Sequence, residues 1–341
     1  MLSLNIVLGH RLKLFDALSS VASEQQPATA KQVADANHLK ERYVREWLCC
    51  MAAGDIVDVD QSGELFWLRP ERAAILCSNE LRPELANFSL LPVYSDIIPL
   101  LCEVFEEDGP LGTDFSNYKG LGGIIESISR GTFGNHIIRD FMPLTGIEDV
   151  LERGDAEVLD VGCGQGFHII EIAKHYPKAS FTAIDLCAES IDQATIAAEN
   201  VKLTNIKFIV MDVRNLDQEW TEKFDWITMF DSCHDQTRPD IGLTEIHRVL
   251  KTTGNFTMVD INGTGNIVSD ITKFGRNVAF WYGDSLMSCL PLGSNEEGAM
   301  GFGAMWGRQK AIELLKQSGF VDITSVELPF DNSHIVYLCH K

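Results

Sequence analysis

Three glycines stand at every second position in VLDVGCGQGF: Gly162, Gly164 and Gly166. An apolar run ending in Asp160 precedes them, and another ends in Asp185, 25 residues further on. Backbone without Cβ atoms lets a ligand lie directly against peptide N–H groups. Two phosphate-binding patterns fail here. The dinucleotide fingerprint G-x-G-x-x-G puts its third glycine at position 167, where Phe167 stands, and the P-loop ending G-K-[ST] is absent. Asp160 would also repel a pyrophosphate, whereas it suits a ligand that presents a cation. Two more apolar runs end in polar residues: VMDV carries Asp212 and Val213, and WITMFD ends in Phe230 and Asp231. His234 and Asp235 come three residues later. That is one imidazole able to take a proton near neutrality, beside one carboxylate able to orient it.

These residues need elements to hold them. From Glu157 the chain alternates apolar strands with helices. The order is EVLDVG, FHIIEIAKHYP, SFTAIDL, SIDQATIAAENVKL, IKFIVMDV, FDWITMFDS, TEIHRVLKTTG, NFTMVDI. An insertion from about 263 to 307 follows, then the helix RQKAIELLKQSGF and a strand pair, VDITSVELPF and HIVYLCHK. Near-continuous apolar strands separated by helices predict an α/β, doubly wound, mostly parallel sheet covered on both faces. In such a sheet the ligand lies beyond the carboxyl ends of the strands, where every residue named above falls.

The first 78 residues are organised differently. Thr29 and Gln32 form a capping-box pattern ahead of AKQVADA. A second helix from about Glu41 puts Val44, Trp47, Leu48 and Met51 on one face, and Gly54 can end it. DIVDVD, QSG and ELFWL then read as a hairpin. Helix, turn, helix, hairpin is the order of a winged helix. Residues 1–80 hold 8 Lys+Arg against 11 Asp+Glu, and KERYVREW mixes both signs. The charge argues against a nucleic-acid reader and for a dimerisation or lid module that pairs two copies of the chain. The expected organisation is 1–78, a winged-helix-like module; 79–152, a helical connector contributing to the substrate pocket; and 153–341, the ligand-binding sheet. Within the connector, FMPLTGIEDVLERG reads as the end of a helix.

Across all 341 residues 28 Lys+Arg face 49 Asp+Glu, a formal charge of −21 that repels phosphate backbones and anionic lipid. Neither nucleic acid nor a membrane is expected as partner. The nine cysteines include no C-x-x-C pair, so reduced thiols in the cytoplasm are the simplest reading. The apolar N-terminus is interrupted by His10, Arg11, Lys13 and Asp16 and reads as an amphipathic helix rather than a signal peptide.

The stretch from Asp160 to Gly166 resembles motif I of the class I S-adenosylmethionine-dependent methyltransferases. The resemblance implies their Rossmann-like seven-stranded sheet, with S-adenosylmethionine as cofactor and S-adenosylhomocysteine as product. It places Asp160, Gly162, Gly164 and Gly166 at the cofactor. Asp185 with Leu186 would bind the ribose, Asp212 with Val213 the adenine, and Phe230 with Asp231 would wall the sulfonium. The winged-helix module, MFDSCHDQTRP and GAMGFGAMWGRQKAIELLKQSGF together look like a subfamily with members in bacteria, mycobacteria and animals. That likeness implies a small-molecule acceptor, with low-molecular-weight thiols as one candidate class and hydroxyl compounds as another.

His234 would then act as base for a thiol or hydroxyl, with Asp235 orienting it; a loop-structuring pair with Asp235 as a helix cap is the competing reading. Cys233, at a strand end, reads as packing. Tyr118, Trp281, Ser285, Cys289 and Trp306 lie in segments that would cover the pocket, though each also fits core packing. His168, just past the glycines, reads as an exposed or capping residue. His and Cys positions show no metal-ligand spacing, so no catalytic metal is expected. Two other functions use the same sheet: a winged-helix regulator that senses S-adenosylmethionine, and a nicotinamide-dependent oxidoreductase.

Overall fold

The computed structural model describes residues 1–77 and 83–341. The chain forms two compact units, Met1–Ser95 and Asp96–Lys341.

In the first unit, helices Leu2–Arg11, Leu14–Val21, Ala30–Ala36 and Glu41–Ala53 surround one apolar core. The Thr29–Gln32 capping box forms, with both reciprocal bonds present. Val44, Trp47, Leu48 and Met51 are all buried. The Trp47 indole N–H donates to the Asn5 carbonyl at 2.8 Å, and its ring meets Phe15 edge-on. Gly9 allows this approach, since a Cβ there would lie 2.5 Å from the indole. Strands β2 (Asp58–Val59) and β3 (Leu65–Trp67) are the hairpin, and β1 (Ala28–Thr29) adds a third strand on β3 that the sequence pattern did not reveal. Two residues are too few to show an alternation. On the Glu41–Ala53 helix Arg42 pairs with Glu46 and Arg45 with Glu64 of the hairpin, which leaves these guanidinium groups neutralised rather than offered to phosphates.

The second unit is built on one seven-stranded sheet. Its strands are β4 (Glu157–Val161), β5 (Ser180–Asp185), β6 (Ile206–Val210), β7 (Phe224–Phe230), β8 (Leu250–Ile261), β9 (Asp322–Leu328) and β10 (Asp331–His340). The order is β6-β5-β4-β7-β8-β10-β9. The first five are mutually parallel, and β10 runs antiparallel to both neighbours. Side chains alternate between two buried layers. Leu159, Val161, Ile227 and Met229 enter one, while Val158, Trp226 and Phe230 enter the other. The order reverses between β4 and β7, so the crevice at their carboxyl ends is the topological switch point.

Two expected elements differ. The helix read over TEIHRVLKTTG ends at Val249, and β8 begins at Leu250. β-Branched Thr252 and Thr253 favour strand. Gly254 lies at the register shift against β7, where a Cβ would sit 3.0 Å from the Asp225 carbonyl oxygen. The helix read over FMPLTGIEDVLERG is broken into Met142–Thr145 and Glu148–Arg153, because Gly146 takes a left-handed φ of 66° between them. No helix among the described residues is long and apolar enough to cross a membrane.

Trp47 fills the first unit's core and makes a buried hydrogen bond. Trp47→Ala should destabilise that unit by about 3–5 kcal/mol. Hydrogen exchange should show lost protection across 1–77 with β4–β10 unaffected; unchanged protection would contradict this packing.

Candidate active site

Three polar groups stand on the carboxyl side of the parallel strands. The first is the turn after β4. Gly162, Gly164 and Gly166 all have positive φ, at 68°, 54° and 84°. A Cβ on Gly162 would strike the Ser232 hydroxyl at 2.4 Å, and one on Gly166 would press on Ala194 and Phe208. A Cβ on Gly164 would meet nothing within 4 Å. Gly162 and Gly166 are thus explained by packing, whereas Gly164 borders open space. The Asp185 carboxylate accepts from Gly164 N and Cys187 N, both at 2.8 Å. Asp160 is 2% exposed and accepts from the hydroxyl of Thr228, its cross-strand neighbour, at 2.7 Å. Burial, aided by nearby Asp185, pushes the Asp160 carboxyl up to about 7 despite that bond. Leu186 is mostly exposed. Val213 belongs to the core, and the Asp212 carboxylate is taken up by Arg214, which also reaches Glu296 of the insertion.

The second group surrounds His234, which is 3% exposed. Its Nδ1 lies 2.7 Å from Oδ1 of Asp260, on β8 and fully buried. The Trp306 indole N–H donates to the same oxygen at 3.3 Å. The orienting carboxylate is therefore Asp260, not Asp235. Asp235 stands on the opposite side of the ring, its Oδ1 3.3 Å from His234 Nε2. Burial alone would lower the imidazole's pKa, but the charges of Asp260 and Asp235 outweigh it and hold the group protonated well above its usual value. The two carboxylates thus favour the charged form of the ring. Cys289 joins this group: one ligand-type atom each from His234, Asp235 and Cys289 lies within 4.8 Å of the others. Burial pushes the Cys289 thiol up to about 12. Tyr118 is buried nearby and shares a hydrogen bond with Thr113 at 2.8 Å.

A third group was not foreseen. His334, the fourth residue of β10, sits between Asp331 at Nδ1 and Asp231 at Nε2, the latter at 3.2 Å. Burial opposes its charge, yet the two carboxylates hold it at about 10. Asp231 carries a left-handed φ of 46°, and its Oδ1 is buried without a partner. His168 is not exposed: it stacks on Phe230 at 4.1 Å and 1°, and burial takes its pKa down to about 3. Trp281 meets the His334 ring edge-on at 6.5 Å. Ser285 is committed to the fold, accepting from Ala304 N at 2.9 Å. Cys233 is core, as expected. Asp260 had a readable signal, an apolar strand ending in an acid, the same pattern as Asp160 and Asp185. His334 had none, because Asp231, on its Nε2 side, comes from a distant strand end, although Asp331 is only three residues away.

Residues 152–317 match the model of a methyltransferase domain, and residues 1–78 that of an Rv2258c-like winged helix-turn-helix domain. The chain thus carries a methyltransferase domain preceded by an Rv2258c-like winged helix-turn-helix domain. Human N-acetylserotonin methyltransferase, solved in complex with SAM, is similar over 100% of this chain and 94% of its own, at 17% identity and a TM-score of 0.64. An O-methyltransferase family protein from Burkholderia thailandensis is similar over 99% and 94%, at 14% identity and a TM-score of 0.67. At these identities the likeness is one of fold. The fatty-acid O-methyltransferase of Mycolicibacterium smegmatis is 27% identical over 159 residues, 47% of this chain and 52% of that enzyme. Matches to three other curated relatives span only 26%, 30% and 29% of their lengths.

In this methyltransferase domain the Asp160 pKa gives a stability test. A carboxyl raised from about 3.9 in the unfolded chain to about 7 binds its proton more tightly when folded. Between these values the native state holds more protons, so stability falls as pH rises. Relative to Asp160→Asn, the wild-type protein should lose up to about 4 kcal/mol between pH 4 and pH 7. Parallel denaturant curves across that range would contradict the burial argument.

Proposed function

We propose that the protein transfers a methyl group from S-adenosylmethionine to the oxygen or sulfur of a small-molecule acceptor, a low-molecular-weight thiol or a hydroxyl compound. The carrying observation is the open backbone at Gly164 between two buried or half-buried acids, Asp160 and Asp185. The ligand that fits has hydroxyl groups for a carboxylate and a cationic centre for an acidic wall. S-adenosylmethionine has both and carries no phosphate. When bound it supplies a methyl group already activated on a sulfonium.

The chain's own residues then do three things. Asp160, Gly162, Gly164, Gly166, Asp185, Leu186, Asp212, Val213, Phe230 and Asp231 border the cofactor. His234, aligned by Asp260, keeps the acceptor's proton on Nε2, so that the acceptor meets the methyl carbon as an anion paired with imidazolium. Asp235 stabilises that charge from the far side. Tyr118, from the 79–152 connector, and Trp281, Cys289 and Trp306 from the insertion and its end enclose the acceptor and exclude water. Residues 1–78 are assigned to dimerisation or closure. Cytoplasmic location is consistent with nine free cysteines.

Two variants test the two halves. Gly164→Val fills the open side and also strains a backbone at φ 54°, which costs about 1–2 kcal/mol. Calorimetry should find S-adenosylmethionine binding lost in a protein that still melts cooperatively; retained affinity would sink the cofactor reading. His234→Ala should lower kcat toward thiols by about 10²–10⁴-fold while leaving cofactor affinity intact. The defect should shrink as pH passes about 8.5, where solvent itself supplies thiolate. A defect constant with pH would show His234 to be a positioning group only.

A further inference from the structure

We infer that His234, Asp235 and Cys289 form a binding site for a divalent cation of the zinc class. The three residues meet only in the fold, Cys289 coming from the insertion and the other two from the loop after β7. They supply the ligand types zinc takes: imidazole nitrogen, carboxylate oxygen and thiolate sulfur.

The geometry points the same way. His234 Nε2 and Asp235 Oδ1 are 3.3 Å apart, yet Oδ1 makes no hydrogen bond and is buried. Zinc–nitrogen and zinc–oxygen distances of about 2.0–2.2 Å at a tetrahedral angle give an edge of about 3.3–3.5 Å. The two atoms are thus spaced as ligands of one ion rather than as a hydrogen-bonded pair. The Cys289 sulfur lies within 4.8 Å of both, against a tetrahedral edge of about 3.6 Å, so at most about an ångström separates it from a ligating position.

A second feature is independent of these ligands. Asp260 holds Nδ1 at 2.7 Å and is itself fully buried. This is the carboxylate–histidine arrangement that fixes a metal ligand's tautomer and turns the other nitrogen toward the ion. Trp306 braces the same carboxylate oxygen.

Binding displaces one proton from Nε2 and one from the Cys289 sulfur, both released to solvent. Three protein ligands leave a fourth position open. Under the methyl-transfer reading, on which this last step rests, the acceptor's sulfur or oxygen takes that position as an anion after losing its proton to solvent. The ion then replaces the imidazolium proton as the positive charge facing the acceptor. Transfer forms the sulfur–methyl or oxygen–methyl bond and breaks the cofactor's sulfonium–methyl bond.

The test is a Co²⁺ titration of the full-length protein after chelator dialysis, with neither S-adenosylmethionine nor acceptor present. One equivalent should bind and produce a near-ultraviolet thiolate-to-cobalt charge-transfer band, which Zn²⁺ then displaces. Cys289→Ser should lose the band. Asp260→Asn should keep it, with Co²⁺ affinity about 10–100-fold weaker. Absence of the band in wild-type protein at saturating Co²⁺, or its persistence in Cys289→Ser, overturns the site. Because no methyl donor is present, that failure leaves the methyl-transfer reading standing. Failure of Gly164→Val to affect cofactor binding would in turn leave the metal site standing.

Discussion

A carboxylate buried at the end of β8 organises the mouth of the sheet. Asp260 is 0% exposed, and a charge so far from water is costly unless it is paired and hydrogen-bonded. Its Oδ1 takes the His234 ring nitrogen, the Trp306 indole and the backbone N–H of Ile261. Those partners come from three segments, the loop after β7, the end of the insertion and β8 itself. The need to satisfy one charge therefore draws together the parts of the chain that enclose the site. It also orients the imidazole and favours its charged form, and both effects would be lost with a neutral residue at 260.

The same region concentrates negative charge. Asp160, Asp185, Asp231, Asp235 and Asp260 all lie at or just past strand ends on the carboxyl side of the sheet. Each is neutralised differently. Asp160 stays partly protonated, Asp185 rests on backbone N–H groups, and Asp231 faces the His334 imidazolium. Asp235 and Asp260 share His234. Unpartnered oxygens persist on Asp231, Asp235 and Asp260. A crevice with surplus acceptors and few cations is poorly suited to phosphate and well suited to a cationic ligand or ion. That preference follows from the charges alone and agrees with both proposals.

Much of the fold was legible because its cause is local. Largely apolar runs of five to seven residues with an acid at or next to their carboxyl ends mark β4, β5 and β7, and the glycine triplet marks the turn after β4. The Thr29–Gln32 box and the Val44–Met51 face mark the winged-helix unit for the same reason. What failed was non-local or too short to carry a period. β1 has two residues, so no alternation exists to be read. The Gly146 break depends on one left-handed residue inside a helical pattern. His168 looked like an exposed or capping residue, and rings from distant segments, Phe230 of β7 and Phe133, pack against it.

The candidate site divides along the same line. The proposed cofactor side is assembled from residues at or next to the ends of successive strands, so consecutive sequence shows them. The proposed acceptor side is assembled across the chain: Asp260 from β8, Cys289 and Trp306 from the insertion, and Tyr118 from the connector. Neighbours in sequence misled there, since Asp235 adjoins His234 yet lies across the ring from the carboxylate that orients it. A half built from strand ends is constrained by the sheet and changes little without losing the fold. A half built from an insertion and loops can be exchanged while the sheet stands. The acceptor's identity is written in the part of the chain whose contacts are least local, and for that reason the sequence names the proposed cofactor more sharply than the substrate.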